Sequence, residues 1–300
     1  MINRRNFLLY SLLFAAGCST ANVAESEPDS GSTPSNLPET IKFTVTDADG
    51  LEELEADYGA FRTALAEALE TNVEFFPVQG HLAAAPAMQT GQVHLAWAGP
   101  SEYLVLQSRA EAVPVVSLNR PDFRSVVVVR AESGIQSLND LKGKVIDLRK
   151  VGSTAGHIGG SQILLAANLD FQMDVETVFS DKRTLQGVKT GEVDAVVLAS
   201  HRYETLLEDE NLSAEDYPIL ETSELLPGDI FVASHQLEIG VIELIRDRML
   251  DHQEKLIEGI IAAPSLAQKF KDSSLTAVDM AGYEALREVY RAIGQEALIE

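Results

Sequence analysis

The segment Lys144–Ala167, KVIDLRKVGSTAGHIGGSQILLAA, joins a strand pattern to a helix pattern through a loop of small and hydroxyl-bearing residues. Val145–Leu148 is short and apolar, as in a buried strand, whereas apolar residues from Ile158 to Ala167 recur at helical spacing. Free backbone N–H groups at the start of a helix favour an oxyanion. The loop therefore predicts an anion site that includes Ser153 and Thr154, although either residue could serve only as a helix cap.

The same alternation of strand and helix patterns continues on both sides of this segment. The predicted strands are Phe43–Thr46, Val73–Phe76, Val93–Ala98, Ala112–Leu118, Ser125–Arg130, Val175–Phe179, Val193–Ala199 and Asp229–Ser234, and the chain after them is helical. Such alternation predicts an α/β fold with mainly parallel sheets flanked by helices. Two successive series of elements indicate two lobes facing each other across a ligand cleft, with functional side chains just after the strands.

The first residues carry the pattern of an export signal. Arg4 and Arg5 precede the apolar stretch Phe7–Gly17, which is too short to span a bilayer. RRNFL resembles a twin-arginine signal, and AAGC resembles a lipobox in which Cys18 becomes lipidated. Ser19–Thr40 is polar and rich in Pro, which is typical of a flexible tether. We therefore expect an exported protein, periplasmic or on the outer face of the cytoplasmic membrane and held there by a lipid.

Charge and cysteine content exclude several kinds of function. The net charge is −23, and removal of the two arginines of residues 1–17 makes it −25. Proteins that bind nucleic acid present a basic face, so nucleic acid is not an expected partner. Cys18 is the only cysteine, and the six histidines lack metal-ligand spacing, so neither a metal nor any other cofactor is expected.

The loop lacks two motifs that would indicate nucleotide binding or hydrolysis. The P-loop needs a lysine after its glycines, and the hydrolase elbow needs Gly-x-Ser-x-Gly, and neither stands here. A hydrolase acting on phosphoesters or acyl groups through Ser153 and His157 remains an alternative. His157 could equally donate to a bound anion. A ligand-sensing domain is a third possibility.

Three stretches of the sequence together resemble the motifs of a known family. FRSVVVVRAESGIQSLNDLKGKVIDLRKVGSTAGH (residues 123–157), GQVHLAWAGPSEY (residues 91–103) and TGEVDAVVLAS (residues 190–200) are similar to motifs of the phosphate, phosphite and phosphonate binding proteins of ABC transporters. The resemblance covers about residues 41–235. It implies a two-lobed, type II periplasmic binding protein fold that closes on its ligand by a hinge motion.

The resemblance also implies roles for individual residues. Ser153 and Thr154 match the hydroxyl pair that grips the oxyanion, and Tyr103 matches a cleft tyrosine. Asp229 matches an aspartate that faces the ligand, where it would accept a hydrogen bond from a P–OH group and so select protonated oxyanions.

Several positions depart from the family pattern. His81 stands where the family has a cleft tyrosine, Ala155 replaces the second serine of the loop, and Asp181 replaces a histidine, with Lys182 and Arg183 beside it. His201 stands where binders of aminoalkyl phosphonates place a glutamate for the amine. We therefore expect a preference for an inorganic or simple alkyl phosphorus oxyanion.

Together, these residues and motifs predict one function for the protein. The protein captures phosphate, phosphite or a simple phosphonate for import by an ABC transporter permease, as a non-enzymatic and monomeric binding protein. The expected organisation is a signal (1–17), a tether (18–40), a first lobe (41–123 with 235–300) and a second lobe (124–234).

Overall fold

The computed structural model describes residues 36–79, 83–170, 173–180 and 185–300. Strands and helices alternate along this part of the chain. The strands are β1 (Thr40–Val45), β2 (Asn72–Phe75), β3 (Leu95–Ala98), β4 (Val113–Asn119), β5 (Ser125–Val129), β6 (Val145–Asp147), β7 (Glu176–Val178), β8 (Ala195–Ala199), β9 (Ile219–Thr222), β10 (Asp229–Ala233) and β11 (Ser274–Thr276).

The helices lie between these strands and make up most of the chain after β10. They are α1 (Leu51–Leu69), α2 (Ala84–Gln89), α3 (Pro100–Ala110), α4 (Gly160–Ala166), α5 (Gln186–Thr190), α6 (Ser200–Asp209), α7 (Ile239–Asp251), α8 (Gln253–Ile261), α9 (Pro264–Ala267) and α10 (Ala281–Ala292). The predicted α/β class is confirmed. The short strands β9 and β11 were not predicted. Among the described residues, no helix is both long and apolar enough to cross a bilayer.

The strands form two sheets, which define two lobes. The first sheet has the order β11-β4-β10-β3-β1-β2, and the second has the order β7-β6-β8-β5-β9. β1 is parallel to β2 and β3, and β6 is parallel to β7 and β8. The pairings made by β5 and β10, and that of β11 with β4, are antiparallel. Both sheets are thus mixed rather than mainly parallel.

β10 also corrects the expected lobe boundary. It lies between β3 and β4 of the first sheet, with all five of its residues buried. The boundary placed at residue 234 assigns this strand to the second lobe, which is wrong. The chain re-enters the first lobe before Asp229 and runs through its sheet opposite to both neighbours. Alternation in sequence cannot reveal such a long-range insertion.

The first sheet is covered by helices on both faces. On one face, α1 and α8 pack over aromatic side chains, where the Phe61 ring lies 5.3 Å from Trp97 and 5.4 Å from Phe231. On the other face, α2, α3 and α10 cover a second apolar cluster. That cluster also contains Ala155 and Ile158 from the second lobe. The two lobes are therefore packed together in this conformation.

Two glycines bring the helix after the candidate loop close to the second sheet. A Cβ atom on Gly160 would lie 2.8 Å from Leu148 Cδ2 and 3.1 Å from Val197 Cγ1, and one on Gly159 would overlap Ser125 Oγ. Both glycines are buried, and neither position leaves room for a side chain. The GG pair of the opening segment is a packing requirement that holds the loop against the strand ends.

Candidate functional site

A cleft with a volume of about 790 Å³ lies at the strand ends of both lobes. From the first lobe it is lined by residues that include Thr46, Trp97, Glu102, Arg120 and Asp229. From the second lobe it is lined by residues that include Arg149, Ser153, Thr154, Gly156 and His201. The cleft therefore brings together the loop after β6, the start of α6 and the start of β10.

A buried ion pair forms part of the cleft wall. Asp229, only 5% exposed, accepts a hydrogen bond from Arg120 Nη1 at 3.1 Å and another from Trp97 Nε1 at 3.0 Å. The Phe123 ring lies over the guanidinium, with 3.6 Å between Arg120 Cζ and the ring centroid. The aspartate charge is thus compensated by a cation and an indole N–H, as a buried carboxylate requires.

The arginine also determines the state of a neighbouring histidine. Arg120 Nη2 lies 3.1 Å from His201 Nδ1, and a guanidinium can only donate, so Nδ1 must accept. Burial, and secondarily the charge of Arg120, hold the pKa of His201 well below its ordinary value. His201 is therefore a neutral ring whose proton is on Nε2, which gives the cleft a fixed hydrogen-bond donor.

Burial also lowers the pKa of Arg120 itself, while the adjacent Asp229 carboxylate opposes that shift. Since a guanidinium keeps its proton in proteins, Arg120 stays cationic. Its Nε is buried without a hydrogen-bond partner among the described residues.

The loop after β6 places Ser153 at the cleft. Gly152 has φ 83°, a left-handed conformation that favours glycine, and Ser153 follows in an extended conformation. Ser153 Oγ accepts a hydrogen bond from Gly156 N at 3.3 Å, so it caps the helical turns that follow. Thr154–Gly159 forms a π-helix, which continues into α4. Such turns are frequent at functional sites.

His157 lies behind this loop rather than in the cleft. Its side chain is fully buried, its Nδ1 accepts the Gly152 N–H at 3.1 Å, and its ring packs edge-on against Phe179. Burial lowers the pKa of His157 to about 4, so the ring is neutral. Because Nδ1 is already an acceptor for Gly152, the histidine holds the shape of the loop. The Ser153–His157 pair that a hydrolase would need is not assembled in this arrangement.

Thr154 forms hydrogen bonds across the cleft. Its Oγ1 accepts the Ser101 N–H at 3.1 Å and lies 2.7 Å from Ser101 Oγ and 3.3 Å from Glu102 Oε2. Ser101 Oγ in turn donates to the Gly152 carbonyl at 2.5 Å. These contacts join the start of α3 to the loop of the second lobe, so the expected gripping hydroxyl is engaged by protein groups in this conformation.

Ala155, which replaces a family serine, belongs to the same interlobe contact. Its side chain is 6% exposed within the apolar cluster that includes Tyr103 and Tyr283, and its carbonyl accepts a hydrogen bond from Ser125 Oγ at 2.7 Å. An apolar side chain suits this position because it packs against the first lobe.

The expectation that Tyr103 lines the cleft is wrong. Tyr103 is fully buried, its ring packs edge-on against Tyr283 at 5.2 Å, and its hydroxyl donates to Met280 Sδ at 3.8 Å. Burial raises the pKa of Tyr103 to about 12. Successive residues of a helix point in different directions, so when Glu102 faces the cleft, Tyr103 faces α10.

Five of the predicted residues lie outside the described part of the chain, namely Cys18, His81, Asp181, Lys182 and Arg183. Of the other predicted residues, Ser153, Thr154, Asp229 and His201 are brought together at the cleft.

Arg120 is a cleft residue that was not predicted, although its position in the sequence carries a signal. Functional side chains are expected just after strands, and Arg120 follows the predicted strand Ala112–Leu118 by two positions. Glu102 follows the predicted strand Val93–Ala98, but nothing in its sequence context reveals that it reaches Thr154.

Ion pairs lie around the mouth of the cleft. Lys150 Nζ is 3.6 Å from Asp49 Oδ2, which links the two lobes, and Lys269 Nζ is 2.9 Å from Asp47 Oδ2. These four residues line the cleft together with further acidic side chains. An anionic ligand therefore depends on donors inside the cleft more than on a positive potential at its mouth.

Comparison with known proteins supports the class that the two sheets and their cleft define. Residues 43–284 match the family described as "ABC transporter, phosphonate, periplasmic substrate-binding protein". The phosphate-import protein PhnD of Mycolicibacterium smegmatis is 24% identical over 252 residues, which cover 78% of this chain and 77% of that protein.

Solved structures show the same two-lobed fold. PhnD1 from Prochlorococcus marinus, solved with methylphosphonate, has a TM-score of 0.68 at 18% identity, covering 86% of this chain and all of that one. The alkanesulfonate-binding protein SsuA from Xanthomonas axonopodis, solved with MOPS, has a TM-score of 0.63 at 16% identity, covering 88% and 95% of the two chains.

The chain belongs to the periplasmic phosphonate-binding family of ABC transporters. It has the α/β, two-lobed binding-protein fold. It is thus a periplasmic substrate-binding protein of the ABC-transporter phosphonate family.

Proposed function

We propose that the cleft binds one small phosphorus oxyanion, namely phosphate, phosphite or a simple alkyl phosphonate, and that the loaded protein delivers it to an ABC transporter permease. The observation that carries this proposal is the position of the Ser153 loop opposite the Arg120–Asp229 pair. The loop offers a hydroxyl and backbone N–H groups, while the opposite wall offers a buried cation. The phosphate-import and methylphosphonate-bound relatives support the same class of ligand.

Ser153 is the primary donor in this proposal. Its Oγ already accepts the Gly156 N–H, and no acceptor for its own proton is found among the described residues. That proton can be given to a ligand oxygen at the cleft surface. A hydrogen bond to a charged group contributes about 1.5–3 kcal/mol. Thr154 would add a second hydroxyl if the ligand displaced its contacts with the first lobe.

Arg120 and His201 supply the opposite side of the site. The guanidinium provides the positive charge that an oxyanion needs, and the Nε2–H of His201 provides a neutral donor. Neither group offers an acid for an ammonium ion. Because position 201 holds no carboxylate where the family resemblance implies a glutamate for the amine, we propose a preference for inorganic or simple alkyl species over aminoalkyl phosphonates.

Asp229 would read the protonation of the ligand. Each of its oxygens accepts one hydrogen bond from the protein, and a carboxylate oxygen can accept two. The remaining lone pairs could accept a P–OH proton. Sulfate, which carries no proton at neutral pH, would instead meet an unpaired negative oxygen.

Further parts of the proposal concern residues outside the described part of the chain, or the state of the whole protein, and rest on sequence patterns alone. We propose that Cys18 is lipidated, that the polar segment after it tethers the lobes to the outer face of the cytoplasmic membrane, and that the protein acts as a monomer. We also propose that His81, Lys182 and Arg183 border the ligand site.

Calorimetric titration tests the proposal directly. The purified protein is titrated with phosphate, phosphite, methylphosphonate, 2-aminoethylphosphonate and sulfate. We expect micromolar or tighter binding of at least one simple phosphorus oxyanion, which corresponds to about 8 kcal/mol. The absence of binding by every phosphorus oxyanion would refute the proposal, and tightest binding of 2-aminoethylphosphonate would refute the argument from His201.

The Ser153→Ala variant tests the loop. Loss of one hydrogen bond to a charged ligand should weaken binding by about tenfold or more. The same titration measures the change, and Ser265→Ala, at an exposed side chain that lines the cleft and donates to Asp57, serves as the control. Equal affinity of the Ser153 variant and the unaltered protein would leave Ser153 with a capping role alone.

A further inference from the structure

A second buried carboxylate lies at the cleft, and the proposed function does not use it. Glu102 is the third residue of α3, is 6% exposed and lines the cleft. Its Oε2 lies 2.9 Å from Ser101 Oγ and 3.3 Å from Thr154 Oγ1. The carboxylate therefore lies within reach of a hydroxyl that an oxyanion would use.

The hydrogens of the two hydroxyls can be assigned from their neighbours. The Gly152 carbonyl can only accept, so the 2.5 Å contact uses the Ser101 hydroxyl hydrogen, which Glu102 can share. Thr154 Oγ1 accepts the Ser101 N–H. Its own hydrogen is then directed to Ser101 Oγ or to Glu102 Oε2. In this arrangement, Thr154 gives its hydrogen to the first lobe.

This arrangement affects different anions differently. A fully deprotonated anion that binds Thr154 takes the threonine hydrogen from that network and then lies close to the Glu102 charge. An oxyanion with a P–OH group can instead donate its proton to Glu102, which replaces the hydrogen bond that the carboxylate loses. Loss of a hydrogen bond to a buried charged acceptor costs more than loss of an ordinary hydrogen bond between neutral groups.

We propose that Glu102 determines specificity by making the cleft selective for oxyanions that carry a proton of their own. This inference rests on the proposed function, because it concerns the same ligand site. It assigns a second acceptor, on α3, in addition to Asp229. Asp229 is held by Arg120 and Trp97, whereas Glu102 is held by the two hydroxyls that join the lobes.

Methylphosphonate and methanesulfonate form the appropriate pair of probes. They have the same tetrahedral shape, but only the phosphonate can hold a proton near neutral pH. Dissociation constants for both are measured by calorimetry at one pH for the unaltered protein, Glu102→Gln and the control Glu208→Gln. Glu208 is an exposed residue lining the same cleft, so its variant removes an equal charge without reaching Thr154.

We expect the unaltered protein to prefer methylphosphonate and Glu102→Gln to narrow that preference by about tenfold or more, mainly through tighter binding of methanesulfonate. Glu208→Gln should leave the ratio unchanged. An unchanged ratio in Glu102→Gln, with methylphosphonate still bound by the unaltered protein, would overturn the inference but not the proposed function. Failure of the unaltered protein to bind any phosphorus oxyanion would overturn the proposed function.

A second variant and a third ligand complete the test of Glu102. If Glu102→Gln unfolds, Glu102→Ser removes the same charge and leaves a hydroxyl near Ser101, and it should narrow the ratio in the same direction. A titration with 2-aminoethylphosphonate tests whether Glu102 accepts a hydrogen bond from an ammonium group rather than from a P–OH group. If that ligand binds more tightly than methylphosphonate and Glu102→Gln abolishes the difference, the carboxylate recognises an ammonium group and the assignment to P–OH is wrong.

Discussion

Replacement of Arg120 by methionine should destabilise the protein strongly. The change keeps most of the side-chain volume but leaves the Asp229 carboxylate, 5% exposed, without its cation at 3.1 Å. Removal of one partner of a buried pair costs about 3–5 kcal/mol, because the other charge is left uncompensated. At about 2–4 °C per kcal/mol for a large domain, the melting temperature should fall by about 6–20 °C.

The assay is thermal unfolding followed by circular dichroism at neutral pH, with two reference variants. Arg291→Met breaks an exposed ion pair with Glu288, whose side chains are 51% and 70% exposed, and should change stability by less than about 1 kcal/mol. The double variant Arg120→Met with Asp229→Leu replaces the pair by apolar groups and should recover much of the loss.

Two results would refute this argument. If Arg120→Met were no more destabilising than Arg291→Met, the buried pair would not be essential to the fold. If the double variant were as unstable as Arg120→Met alone, the cost would lie in lost packing on the Phe123 ring rather than in the orphaned carboxylate.

Three further predictions concern the loop after β6, α3 and α4. The pKa of His157 in the folded protein, about 4, lies below its ordinary value of 6.5, so the unfolded chain takes up the proton first as pH falls. The stability present above about pH 6.5 should therefore be lost toward pH 4, with a loss of about 2 kcal/mol at pH 5. His157→Asn should flatten this part of a plot of melting temperature against pH. Tyr103→Phe should leave ligand affinity unchanged in calorimetry, since the hydroxyl donates to Met280, and a large loss would return Tyr103 to the cleft. Gly160→Ala should lower stability by about 1–3 kcal/mol in urea unfolding, and a stabilised variant would contradict the close packing on Leu148.

Much of the architecture follows from local patterns. Apolar runs predicted nine of the eleven strands in the described part of the chain, and helical periodicity predicted helical turns after β6, because burial on a sheet or under a helix imposes its own spacing. The strand-end rule pointed to the Ser153 loop and to His201. Asp229 is the first residue of β10, and only the family resemblance pointed to it. The rule found Tyr103 as well, but it cannot tell which face of α3 meets the cleft, and that face is occupied by Glu102.

The sequence by itself determined the α/β class, the hydroxyl-bearing loop after β6 and the family resemblance, since all three depend on residues close together in the chain. Only the tertiary structure decided the placement of β10 between β3 and β4, the pairing of Arg120 with Asp229 across 109 positions, and the meeting of Glu102 with Thr154 across 52. These contacts are set by sheet order and by the packing of one lobe on the other. Periodicity along the chain carries no information about which distant side chains such packing brings within hydrogen-bond distance.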